Sequence, residues 1–303
     1  MASVGSILSG AFRLFREKPA TVAIWGLVFV VISLASNLPS YFMQGTQPNP
    51  VPFAQPDFMS VIGMIVLAVV VMLVYTSVMM CAVFRAVLRP DESSFASIRL
   101  GMDELRMMGL YLILMIGAVF IWVICVLLLM LLVGGAALSG SGVATFLVAG
   151  VGYLGLIGGL IFVSVRLSLV FALSFARRRL AIDEAWSLTR GRFWMLFAVY
   201  LILVLIAIVL YLVAVAPFMG PFFSAMSEAI RNPGGDSAQA LELAGMNNFT
   251  LQMLILMSLA TALVQTVLHT LNGSATATAV RELLNEQGEA LEDDVERTAQ
   301  IFE

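Results

Sequence analysis

Uninterrupted apolar runs constrain this chain more than any other feature. From Tyr111 to Val133 there is no charged residue, and these 23 residues would form a helix of about 35 Å. That length crosses the roughly 30 Å hydrocarbon core of a bilayer. Five further runs follow the same pattern along the 303 residues. The spacing predicts an all-α integral membrane fold with six transmembrane helices over about 20–38, 59–84, 108–133, 147–176, 194–216 and 249–271. Composition agrees: 61% of residues are hydrophobic and 12% charged, against about 45–50% and about 25% in a soluble domain. Such a chain could not cover its apolar surface in water.

One polytopic membrane domain is expected over 1–285, followed by an acidic cytoplasmic tail over 286–303. Pro19 suits the first turn of the first span, where a missing N–H leaves no bond unmade. Arg13, Arg16 and Lys18 precede that run, but it is longer than the apolar core of a signal peptide, so a retained first helix is expected. Residues 39–57 hold five prolines and no Lys or Arg, as an external loop would. A small-residue hairpin, Gly134 to Gly142, should join the third and fourth spans. Residues 217–248 read as an external segment with a short amphipathic helix near 237–245. Beyond the sixth span, residues 273–303 read as a helical extension fraying into the tail.

Lys and Arg set the orientation. Fourteen lie in the proposed cytoplasmic segments, the outer loops share only Arg231, and Arg166 lies inside a run. By the positive-inside rule both termini are expected in the cytoplasm. An aromatic residue precedes an Arg by four positions before each odd-numbered span: Phe12 with Arg16, Phe95 with Arg99, and Trp186 with Arg190. That spacing puts ring and guanidinium on one side of a helix, the ring at the acyl boundary and the charge at lipid phosphate. Three cytoplasmic interfacial helices are predicted, near 5–16, 93–106 and 182–192. Together with two spans each they would form three parallel repeats. The alternative is that any polytopic protein places aromatics and Arg at its cytoplasmic interface.

The stretch AWSLTRGRFWMLFAVYLILVLI, Ala185 to Ile206, resembles the signature of a bacterial membrane-domain family found fused to some glycerophosphoryl diester phosphodiesterases. Ala185, Trp186, Leu188, Thr189, Arg190, Gly191, Arg192, Phe193 and Trp194 fill its element before the fifth span. The resemblance implies a six-span, stand-alone inner-membrane protein. Fused members add a soluble barrel of about 250 residues; these 303 residues hold no such stretch, so phosphodiesterase activity is not implied.

Candidate ligand or cavity-lining residues are few. Arg166 lies eleven residues before Arg177, about 16 Å along a helix, and an intramembrane charge needs a partner, a cavity or a headgroup. Ser258, Thr261, Gln265, His269, Asn272 and Thr276 place a polar stripe on one face of the last span. Interhelical hydrogen bonding and cavity lining both account for it. Gly155 and Gly159 have GxxxG spacing and predict close helix packing, within the chain or in a homodimer. Cys81 and Cys125 read as buried, inert thiols. With a single His a His-cluster metal site is excluded, and no cofactor or catalytic residue is predicted. Phe12, Arg16, Phe95, Arg99, Trp186, Arg190 and Arg192 are the expected lipid contacts, and Arg177, Arg178 and Arg179 favour headgroups over nucleic acid. Membrane lipids are the expected partners, with a protein partner as a further option. The leading functional expectation is lipid or envelope-associated handling or transport. The alternative is a non-catalytic scaffold or partner-binding module.

Overall fold

The apolar runs fold as helices. The computed structural model describes residues 2–45, 58–90, 97, 101–138, 140–231 and 251–288, and no strand occurs among them. Ten α-helices follow in chain order: α1 (Val4–Glu17), α2 (Pro19–Gly45), α3 (Phe58–Leu88), α4 (Met102–Leu138), α5 (Gly142–Leu167), α6 (Val170–Ala176), α7 (Ile182–Leu188), α8 (Phe193–Val215), α9 (Gly220–Arg231) and α10 (Leu251–Glu286). A 3-10 turn, Ala216–Phe218, separates α8 from α9. Among the described residues five stretches are long and apolar enough to cross a membrane: within α3, in α4, in α5 with α6, in α8 with the turn after it, and in α10. The pair α1 and α2, bent by 88°, makes a sixth if counted as one span.

Several boundaries differ from the sequence expectation. The predicted interfacial helix at 93–106 does not stand apart at its end, because Met102 already opens α4; of 91–100, only Ser97 is described. The hairpin at 134–142 shrinks to a tight turn. Gly134 to Leu138 continue α4, Gly140 takes φ +71°, and the Ser141 side chain caps α5 by accepting from the Ala144 amide. Serine at an N-cap satisfies a donor the helix leaves open. The predicted fourth span is interrupted at Ser168–Leu169, where the Ser168 hydroxyl donates to the Val165 carbonyl at 2.7 Å. Where the third interfacial helix was predicted stands α7, which ends at Leu188 rather than 192. In the segment after α8 the described helix is α9; the predicted helix at 237–245 lies outside the described residues, as does the tail from 289.

The helices fall into two compact units. The first comprises Met1–Ala11, Val66–Tyr200 and Gly273–Glu303, the second Phe12–Ile65 and Leu201–Asn272.

In the first unit the end of α10 is enclosed: every residue from Gly273 to Val280 is buried. Small side chains permit this. A Cβ on Gly273 would lie 2.6 Å from Val83 Cγ1, and one on Gly10 2.5 Å from Thr278 Cγ2. The Ser6 hydroxyl of α1 donates to Glu282 at 2.7 Å, and the Ala2 amide donates to Glu286. The predicted extension is therefore helical to Glu286, and its acids are held by the protein. Helix α4, at 37 residues, is about 55 Å long and exceeds the hydrocarbon core. Its base is buried at Glu104, Met107 and Leu110, while Ile113, Phe120, Leu127 and Leu131 beyond it are exposed. Helices α4 and α5 pack on each other, with α4 also on α6 and α5 on α7. Leu129 sits against Gly152, but nothing described lies within 4 Å of a Cβ on Gly155, Gly158 or Gly159. The GxxxG spacing is not used for packing among the described residues.

In the second unit α2 buries Val22, Trp25 and Phe29. Gly26 meets the first half of α10, its Cβ position 3.5 Å from Thr266 Oγ1.

Candidate functional site

Side-chain exposure changes sharply near the end of α5. Residues from Ile157 to Ser164 are all exposed, whereas Val165 is buried, and α6 buries Val170, Ala172, Leu173, Ser174 and Phe175 in the first unit. Arg166, expected deep inside a span, thus stands where the exposed surface of α5 gives way to buried residues. Its guanidinium carbon lies 5.3 Å from the ring centre of Phe162 and 5.3 Å from that of Trp186. One Nη donates to the Trp186 carbonyl at 3.4 Å, and the Thr189 hydroxyl donates to the Arg166 carbonyl at 3.4 Å. The Arg166 Nε is buried with no hydrogen-bond partner among the described residues, a cost of about 1–3 kcal/mol. Each cation–π contact offsets about 0.5–2 kcal/mol of it. No described acid forms an ion pair with this Arg.

The rings continue past the Arg. Phe193 lies 5.3 Å from Phe162 and 5.4 Å from Trp194. Trp186 is 41% exposed and Trp194 76%. Exposed Trp beside a cation is the composition of a membrane–water interface, where the ring meets acyl chain and headgroup together. Trp186, expected on the same side of its helix as Arg190, also lies against the Arg166 guanidinium. Arg190 is exposed, and Arg192 pairs with Glu286 at 2.5 Å. Gly191 has φ +81° and makes the turn from α7 to α8, which gives the Thr-Arg-Gly-Arg element a structural reason.

The polar stripe of α10 is divided among partners. The Gln265 amide donates to the Tyr211 hydroxyl at 2.5 Å. The Thr261 hydroxyl donates to the Met257 carbonyl of its own helix at 2.8 Å. The His269 ring lies 5.1 Å from that of Phe29. Asn272 is half-buried. Thr276 and Tyr200 have their hydroxyls 3.4 Å apart within the first unit. Gln265, His269 and Asn272 belong to the second unit and Arg166 to the first.

A charged cluster in the first unit was absent from the sequence candidates. Arg85, at the end of α3, pairs with Glu104 at 2.6 Å, with side chains only 2% and 6% exposed. It also donates to the Ser97 carbonyl at 2.7 Å. Arg89 pairs with Asp103 at 3.4 Å, donates to the Phe175 carbonyl at 3.0 Å, and lies 4.8 Å from the Phe175 ring centre. Acids at the start of α4 and bases at the end of α3 also complement both helix dipoles. The signal was present as Arg85 and Arg89 at i,i+4 facing Asp103-Glu104 across a short connection. Counting the arginines only for orientation concealed it.

The remaining interfacial candidates are separated. Phe12, 41% exposed, and Arg16 are both on the open side of α1; Phe95 and Arg99 lie outside the described residues. Among the three arginines after α6, Arg177 and Arg179 both pair with Glu184, at 3.0 and 2.9 Å. Arg178, between them, has φ 51°. Cys81 is buried and Cys125 half-buried, and both are free thiols.

No protein-family model matches this chain, no curated protein matches it, and no solved structure matches it at a significant level.

Proposed function

We propose that this chain is a multi-pass protein of a bacterial inner membrane, with six spans and cytoplasmic termini, that serves as a lipid-associated module without translocating cargo. Helices α1 and α7 would be two of its three interfacial helices, engaging headgroups through Phe12, Arg16, Trp186 and Arg190. The threefold parallel arrangement would need the region around Phe95 and Arg99 as its third member. A soluble partner working beside the module is in keeping with the resemblance of residues 185–206 to membrane domains fused to soluble enzymes.

The observation that carries this reading is the separate satisfaction of the polar groups suited to line a path. Gln265 is taken by Tyr211, Thr261 by its own helix, and the His269 ring lies 5.1 Å from that of Phe29, tilted by 38°. Polar side chains paired one by one hold helices together, whereas a transport site gathers them around a cavity.

The test is reconstitution of the full chain in vesicles of phosphatidylethanolamine and phosphatidylglycerol. The expected result is tight retention of anionic lipid after solubilisation, with no protein-dependent lipid flipping or solute efflux. Flipping or efflux that disappears in His269→Ala or Gln265→Ala would overturn this reading in favour of transport.

A further inference from the structure

Arg166 is the one cation of α5 and has an unusual combination of surroundings. Two rings hold its guanidinium at equal distances, 5.3 Å from each centre, so its position is fixed without a counter-charge. An Arg has five N–H donors. Among the described residues Arg166 makes a single bond, the 3.4 Å contact with the Trp186 carbonyl. Three nearby cations differ: Arg177, Arg179 and Arg192 have acids against them. Arg166 is therefore charged, pre-positioned and short of acceptors, and it stands where exposed residues give way to buried ones. Phe162 and Trp186 against it, and Trp194 beyond Phe193, are exposed and present apolar surface fit for an acyl chain.

We propose that Arg166, seated between Phe162 and Trp186, binds one phosphate group, that of a phospholipid headgroup whose acyl chain lies along the exposed rings. The planar guanidinium matches two phosphate oxygens at once, and the terminal nitrogens supply the donors the protein leaves unused. This deepens the module reading and rests on it: it turns a general affinity for headgroups into a defined site. A free phosphate ion offers the same oxygens but no acyl chain, so the two sources are separable.

Native mass spectrometry of the full chain in detergent would read binding of phosphatidylglycerol, with a phosphate-free glycolipid and inorganic phosphate as comparison ligands. The expected result is a tightest bound phosphatidylglycerol that Arg166→Gln weakens roughly five- to tenfold, with little change in Arg231→Gln. Arg166→Lys keeps the charge but loses the fork, and should retain binding a few-fold weaker. If Arg166→Gln fails to fold, the Lys variant decides: unchanged affinity in it overturns the bidentate site. Equal binding of the glycolipid, or an unaltered affinity in Arg166→Gln, also overturns the site while leaving the module reading in place. Displacement of the lipid by millimolar inorganic phosphate would assign the site to the free ion and overturn the lipid source. Lipid flipping in the vesicle assay would overturn the module reading while leaving the phosphate site standing.

Discussion

At the scale of single residues, backbone conformation decides what the Ala185–Ile206 element tolerates. Gly191 takes φ +81°, where a Cβ meets the adjoining backbone at a cost of about 1–2 kcal/mol. The space around it is open, with nothing described within 4 Å of a Cβ. Gly191→Ala should therefore destabilise the protein by about that amount through strain alone, read as a lower midpoint in detergent unfolding. A helical glycine with a close neighbour and one without make a second, separable case. Gly273→Ala places a Cβ 2.6 Å from Val83 Cγ1, whereas Gly155→Ala meets nothing described. Overpacking costs about 1–3 kcal/mol, and replacing a mid-helix Gly gains about 1 kcal/mol of helix propensity. Gly273→Ala should lower the unfolding midpoint, and Gly155→Ala should leave it unchanged or raise it.

At the scale of elements, the buried ion pair ties the end of α3 to the start of α4. Removing one partner of such a pair leaves a buried charge uncompensated and costs about 3–5 kcal/mol. Glu104→Ala should lose stability on that scale in detergent unfolding. The double change Arg85→Met with Glu104→Leu should recover much of it, because exchanging both charges for packed apolar groups is often neutral. A double change as damaging as the single one would point to a role beyond pairing. Arg89 extends the tie to α6 through the Phe175 carbonyl, which also accepts from the Arg178 amide at 3.4 Å.

At the scale of the whole molecule, orientation is the property most exposed to test. With Cys81 and Cys125 replaced by Ala, a membrane-impermeant maleimide applied to intact spheroplasts should label Arg231→Cys. It should spare Arg16→Cys until the membrane is opened. The reverse pattern would invert the topology and move the Arg166 site to the other face. Both residues are exposed, so the difference in labelling would report the bilayer rather than burial.

The sequence by itself determined that this chain is helical and apolar enough to cross a membrane several times, because a run such as Tyr111 to Val133 can satisfy its backbone in lipid as a helix alone. It also located α1, whose polar and apolar positions alternate at helical spacing, and the polar stripe of α10. Tertiary structure decided what a one-dimensional pattern cannot carry. Hydropathy joined residues 147–176 into one run, and the structure adds that most of α6 is buried in protein, because hydropathy does not distinguish protein from lipid as the neighbour. Nor could it show that the rings of Phe162 and Trp186, the second of them twenty positions away, flank Arg166. Arg85 and Glu104 are nineteen positions apart, and only the close approach of two helix ends makes them partners.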